Sequence, residues 1–208
     1  MLTKYQSEYE IGLDEAGRGP LIGRVYAGAV ILGPNFKLPK SEDKINITDS
    51  KKLTAKKREA SLKWIKDNVA AWGYGYSEPD EIDTINILEA TNKAMIRAIE
   101  NLKNNFPVYV NSNNLIIDGC GWDNRFPDYN VNSFVKGDAT YYSIACASII
   151  AKEYHDMHIM EICKNNIGLH EKYDLENNKG YGTKKHLAGL IAYGPSTYHR
   201  KSFKPIKV

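Results

Sequence analysis

Cysteine is scarce in this sequence: Cys120, Cys146 and Cys163 are the three in 208 residues. An odd count fits a disulfide framework poorly, and their spacing matches no zinc pattern, so they read as reduced thiols. No apolar run approaches the ~20 residues that cross a bilayer. The stretch from Met1 to Glu10 is polar and tyrosine-rich, without the basic-then-apolar order of a signal peptide. The expectation is a cytoplasmic protein that makes no membrane contact. Internal repeats and low-complexity linkers are missing too. Charge of one sign is not in excess, since the net charge is only +3, and overall charge therefore says little about partners.

What is present is organised. Glu8 to Leu13 tends to alternate and reads as a strand ending at Asp14; Arg24 to Leu32 reads as a second, β-branched strand. The segment between them, AGRGPLIG, is too rich in Gly and Pro to be regular, so the two strands form an antiparallel hairpin. Thr54 is placed to cap a helix running to about Ala71. WGYGYSE reads as a short strand, and Glu78 to Asn105 as helix in two pieces, with Ile85, Leu88, Met95, Ile99 and Leu102 on one face. NLIID, ending at Asp118, is a short buried strand, and NSFVKG another. Ala139 to about Lys164 is a long helix, apolar nearly all round and hence buried. A last helix, capped by Thr183, stops near Tyr193 at Gly194-Pro195. This order gives a single α/β domain over 1–208: a mixed central sheet flanked by helices, with a core of about 8–157 and a C-terminal helical extension of about 158–208.

Four acids share an unusual setting. Asp14 and Asp118 each sit where an apolar strand meets a glycine-bearing turn, Glu15 follows Asp14, and Asp138 lies between a strand and the buried helix. Singly, each has a plain structural explanation: a turn for Asp118-Gly119, an N-cap for Asp138, a solvated strand end for Asp14-Glu15. Together they place carboxylates at strand ends, where α/β proteins carry binding groups. Clustered carboxylates without Cys or paired His ligands suit hard cations, Mg²⁺ or Mn²⁺. Two such ions suit in-line displacement at phosphorus.

Gly17-Arg18-Gly19 follows the first acids directly, and its backbone N–H groups are able to cradle an oxygen. The glycine spacing does not satisfy the dinucleotide fingerprint, and a strand rather than a helix follows. Basic residues gather in two stretches: Lys51, Lys52, Lys56, Lys57 and Arg58, then Lys179, Lys184, Lys185, His186, Arg200, Lys201, Lys204 and Lys207. Two helices thus begin with lysines set against their own dipoles, which points to phosphate sites. Tyr181, flanked by Gly180 and Gly182, reads as an exposed ring able to stack on a sugar or as a turn aromatic packed on the last helix. His155 and His158 stand three apart on a helix with no third ligand nearby. His186 and His199 fall in the phosphate-suspect segments, as backbone contacts or surface histidines.

The ordered set DEAGRGPLIG, DSKKLT, IIDG, VKGD with SIACASIIAKEYHD, and KGYGTKKH with YGPSTYHRKSF resembles the ribonuclease HII family over nearly the whole chain. The resemblance implies an RNase H-like fold and two-metal hydrolysis of the RNA strand of RNA–DNA hybrids, and of duplex DNA containing ribonucleotides. Such cleavage falls 5′ of an embedded ribonucleotide and leaves a 5′-phosphate and a 3′-hydroxyl. The resemblance maps the catalytic, metal-binding acids onto Asp14, Glu15, Asp118 and Asp138. It assigns Gly17-Arg18-Gly19 to sensing the ribose 2′-hydroxyl and Tyr181 to the sugar on the DNA side of the junction. Lys51, Lys184 and Lys185 are the candidate phosphate contacts.

The connection from Gly33 to Asp49 and the segment CGWDNRF depart from the family's usual look. No clamp-binding tail is recognised after HRKSF, which leaves any protein partner open; the expectation is a monomer. Ribonuclease HIII, similar around the acids, carries an N-terminal substrate-binding domain for which the residues before Asp14 leave no room. It also usually has a lysine in the middle of the glycine triplet. A hybrid-binding protein without catalysis and a DNA-structure-specific nuclease on the same fold are the remaining alternatives.

Overall fold

The computed structural model describes residues 2–3 and 9–206; Glu8, the expected start of the first strand, and Lys207 lie outside the described residues. Strands β1 (Ile11–Ala16) and β2 (Val25–Ile31) pair antiparallel, from Gly12 opposite Val30 to Ala16 opposite Tyr26. β3 (Ala71–Ser77) extends the antiparallel side along β2. β4 (Asn114–Asp118) and β5 (Asn130–Phe134) add in parallel on the other side of β1. The order β3-β2-β1-β4-β5 makes the expected mixed sheet.

Helix α1 (Ala55–Asn68) starts as its sequence requires, with the Thr54 hydroxyl accepting the Lys57 N–H at 3.4 Å. Helix α2 (Pro79–Asn105) is broken at Asn86, whose φ of 70° and ψ of 166° are not helical. The Asn86 side-chain oxygen accepts the N–H groups of Leu88 and Glu89, at 2.9 and 3.2 Å, and so caps the second piece. The break also resets the helical phase. Met95, Ile99 and Leu102 are buried and Ile85 is partly so, but Leu88, expected on the same face, is exposed.

α2 covers one face of the sheet, while α1 and the long α3 (Tyr142–Asn165) cover the other. Glycines set how closely the helices approach. A Cβ on Gly12 would lie 2.5 Å from the Ser143 carbonyl carbon, and one on Gly28 would collide with the Ala147 carbonyl oxygen. The α3 backbone therefore rests directly on β1 and β2. Gly73 and Gly75 give α2 the same access to β3, which is why WGYGY alternates glycine with aromatics. Cys146 is buried within this packing, Cys163 is partly buried and Cys120 is exposed; all three are free thiols.

α3 runs without a break through 157–158, where the helical extension was expected to begin. Leu169, Tyr173 and Leu175 of the extension pack on Ile159 and Ile162 of the far part of α3 and on Ile22 of the β1–β2 loop. The extension contains two short helices that the sequence pattern did not show, α4 (Leu169–Tyr173) and α5 (Leu175–Asn178), and the expected α6 (Lys184–Tyr193), capped by Thr183. Among the described residues no helix is long and apolar enough to cross a membrane.

Candidate active site

The four acids come from neighbouring elements at one end of the sheet. Leu13 lies opposite Ile117 across the parallel β1–β4 pair, so Asp14 and Asp118 are the next residues of adjacent strands. Glu15 follows on β1. Asp138 sits in a single 3₁₀ turn, Gly137–Ala139, between β5 and α3, and its backbone N–H reaches the Asp118 carboxylate at 3.4 Å. It does not cap α3; Tyr141 occupies that position.

This crowding has an electrostatic cost. Burial, then the charges of Glu15 and Asp118, push the Asp14 carboxyl well above the usual range; a Ser148 hydrogen bond and the Glu15 N–H, at 2.7 Å, oppose the rise. Burial raises Glu15 too, against the pull of the Arg18 guanidinium at 3.3 Å. Asp138 is raised by burial and by Asp118 and Asp49, with Lys51 opposing. The cluster thus holds more negative charge than its neighbours neutralise. One oxygen, Glu15 Oε2, is buried without a hydrogen-bond partner among the described residues.

Beside the acids opens a cleft of ≈ 540 Å³ lined by Glu15, Gly17, Arg18, Gly19, Lys51 and Tyr181, with Ser50, Arg58, Ser148 and Lys152 deeper in its wall. The glycine loop and the tyrosine face each other: a Cβ on Gly19 would touch the Tyr181 ring at 3.4 Å. Tyr181 is 40% exposed, an accessible ring rather than a packed turn aromatic. Sequence and fold therefore bring Asp14, Glu15, Gly17, Arg18, Gly19, Lys51 and Tyr181 together, with Asp118 and Asp138 adjoining through the sheet. Lys184 and Lys185 are not among the lining residues; Lys185 extends toward Asp174, at 3.6 Å.

Several basic residues do something other than face solvent. Arg58 is buried, donating to Glu153 at 2.8 Å, to Asp156 at 2.9 Å and to the Leu53 carbonyl at 2.8 Å. Arg200 is fully buried. His186 and His199, expected near the surface, are buried with their Nε2 atoms 3.0 Å apart. His186 Nδ1 lies 3.0 Å from the Tyr181 carbonyl, which only accepts. That makes His186 Nδ1 the protonated nitrogen, so its Nε2 accepts from His199 Nε2–H, and His199 Nδ1 accepts the Ser196 N–H at 2.9 Å. The pair is a neutral relay behind Tyr181. His155 is fully buried, its Nδ1 3.0 Å from Asp156, and His158 packs near the Tyr26 ring.

Sequence reading missed the serines. Ser50, inside the DSKKLT motif, lies 2.9 Å from Ser148 on α3. The Ser148 hydrogen bond opposes the rise of the Asp14 carboxyl, as a hydroxyl donating to it does, and with its proton so used Ser148 accepts from Ser50. Ser148 had a visible signal, as a hydroxyl in the otherwise apolar SIACASIIA.

Comparison with known proteins gives the family and the fold. The family model described as Ribonuclease HII matches residues 11–206. The Ribonuclease HII of Neisseria meningitidis serogroup C is 41% identical over 199 residues, covering 94% of this chain and 92% of the relative. That of Bacteroides thetaiotaomicron is 44% identical over 208 residues, covering 98% and 94%. Among solved structures, the ribonuclease H2 of Pyrococcus horikoshii shares the fold with a TM-score of 0.63 at 24% identity, over 94% of each chain.

Proposed function

The chain belongs to the ribonuclease HII family, and from that premise we propose that it hydrolyses the RNA strand of RNA–DNA hybrids and cuts 5′ of single ribonucleotides in duplex DNA. The products carry 5′-phosphate and 3′-hydroxyl ends. Ribonuclease H activity follows from the family; the observation that carries the finer reading is the convergence of four acids beside a cleft walled by the glycine loop and Tyr181.

The acids fit a hard divalent cation, Mg²⁺ or Mn²⁺. Their donors are carboxylate oxygens, their charges are undercompensated, and Glu15 Oε2 is buried without a partner among the described residues. Among the described residues no three Asp, Glu, His or Cys side chains form a ready-made cage. Mg²⁺ needs none, since it binds through one or two carboxylates with waters and substrate phosphates. Asp14, Glu15, Asp118 and Asp138 would hold two ions, which would activate water and neutralise charge at the phosphate.

The remaining roles belong to the protein. Ser148, backed by Ser50, fixes the Asp14 carboxylate. Arg18 restrains Glu15 from its exposed side. Gly17-Arg18-Gly19 reads the ribose 2′-hydroxyl, because the reactive phosphate group is the same in RNA and DNA and the sugar oxygen must be sensed beside it. Tyr181 stacks on the adjoining sugar, and Lys51 meets a phosphate at the cleft mouth. Lys184 and Lys185 contact the duplex backbone beyond the cleft. The protein acts as a monomer in the cytoplasm.

The test is cleavage of three matched duplexes, RNA–DNA hybrid, DNA with one ribonucleotide, and all DNA, with Mg²⁺, Mn²⁺ or a chelator. The expected result is metal-dependent cutting of the first two. Cutting of all-DNA duplex at a comparable rate would favour a structure-specific nuclease, and binding without cleavage would favour a hybrid-binding protein.

A further inference from the structure

Arg200 is a full-length cation buried to 0% exposure, and among the described residues no carboxylate forms an ion pair with it. Its guanidinium donates instead to four carbonyl oxygens: Gly17 at 2.6 Å, Pro20 at 2.8 Å, Gly23 at 2.9 Å and Arg18 at 3.1 Å. All four belong to the glycine loop and its continuation into β2. A buried charge is costly unless hydrogen-bonded, and here every hydrogen bond comes from loop backbone, with the Phe203 ring 5.1 Å from the guanidinium. Burial pushes the guanidinium down to about 9, which leaves it charged at neutral pH.

The direction of these carbonyls matters. In a planar trans peptide, the C=O of one residue and the N–H of the next point in opposite directions. With the Gly17 and Arg18 carbonyls drawn inward to Arg200, the Arg18 and Gly19 N–H groups turn outward. Among the described residues neither N–H has a hydrogen-bond partner, and both residues line the cleft. By contrast, the Leu21 N–H, which follows the captured Pro20 carbonyl, is taken up by Gly180 at 2.8 Å.

We infer that Arg200 is the positioning residue of the 2′-hydroxyl reader: by holding the Gly17 and Arg18 carbonyls inward, it presents the Arg18 and Gly19 N–H groups to the substrate sugar. This rests on the reading of the glycine loop given above. The positive charge behind the two peptides also polarises them, strengthening the donors toward an oxygen. Arg200 itself is anchored from outside: Asp83 on α2 accepts the Lys201 and Ser202 backbone N–H groups at 2.9 and 2.8 Å.

The experiment compares cleavage of duplexes whose single site carries a 2′-hydroxyl or a 2′-fluoro group, which accepts hydrogen bonds poorly. The hydroxyl-to-fluoro rate ratio is measured for wild type, Arg200→Lys and Asp83→Ala, each with a melting curve. Lysine keeps the charge but cannot reach four carbonyls with one ammonium. The ratio should fall about tenfold in Arg200→Lys, the scale of one aimed hydrogen bond, and about two- to threefold in Asp83→Ala. A merely structural role would lower both rates together and leave the ratio intact, and that result in either folded variant overturns the inference. If Arg200→Lys does not fold, the surface variant Asp83→Ala decides. A wild-type ratio near one would instead mean that the loop does not read the hydroxyl, a failure of the underlying reading rather than of the role of Arg200.

Discussion

Removing the Arg58 side chain should cost this protein stability in a calculable way. Arg58 ties α1 to α3 through Glu153 and Asp156, with side chains only about a tenth exposed, and holds the Leu53 carbonyl beside the cleft. Losing one partner of a buried ion pair costs about 3–5 kcal/mol, because the other charge is stranded. The two carboxylates differ here. Asp156 keeps Lys152 at 2.7 Å and His155 at 3.0 Å, whereas Glu153, already raised by burial, loses the hydrogen bond that opposed the rise. Arg58→Ala should therefore sit at the low end, about 3 kcal/mol, or a melting temperature lower by roughly 6–12 °C for a domain of this size. Adding Glu153→Gln should recover more than half of the loss, since an amide strands no charge. The assay is thermal unfolding of wild type, the single variants and the double. A single variant within about 2 °C of wild type, or no recovery in the double, would refute the stranded-charge reasoning.

Asp14→Asn, Glu15→Gln, Asp118→Asn and Asp138→Asn should each lower turnover by orders of magnitude. Asp14→Asn should at the same time raise the melting temperature, since it relieves a buried charge repelled by Glu15 and Asp118; near-normal turnover or a lower melting point would contradict this. Acid should weaken the fold through His199, which burial holds down at about 4 against 6.5 unfolded. The unfolded state takes up the proton first, so this contribution is present above about pH 6.5 and lost as pH falls toward about 4. His199→Gln should lessen the slope of melting temperature against pH across that window, the remainder coming from His158, also held at about 4, and an unchanged slope would dismiss the relay. Replacing Lys184 and Lys185 together should reduce the slope of log affinity against log salt by about one to two; an unaltered slope would leave both as solvated surface residues.

The sheet and most helices were legible because their signals are local. Thr54 and Thr183 mark helix starts, Gly194 marks a stop, and the run NLIID is short, apolar and ended by a turn. The two-piece reading of α2 was sound, yet Leu88 went to the wrong face, because a period carried across Asn86 cannot know that the backbone resets there. Helices α4 and α5, of five and four residues, are too short to show periodicity. At the site, the acids and the glycine loop were readable from their place beside strands. Arg58, Arg200, His186 and His199 were not, because charge in sequence says nothing of burial; their partners lie on other elements, 95 residues away for Arg58 and Glu153 and 183 for Arg200 and Gly17.

The central claim is that the acids cut at a sugar chosen by the glycine loop and Tyr181. It is tested most directly by mapping the cut in a DNA duplex carrying one ribonucleotide, with end-group analysis, for wild type and Tyr181→Ala. The account expects one wild-type cut immediately 5′ of the ribonucleotide, with a 5′-phosphate on the ribonucleotide and a 3′-hydroxyl on the neighbouring DNA, and a marked loss of rate and junction preference in the variant. Cutting on the 3′ side, scattered cutting, or a Tyr181→Ala variant indistinguishable from wild type would contradict it.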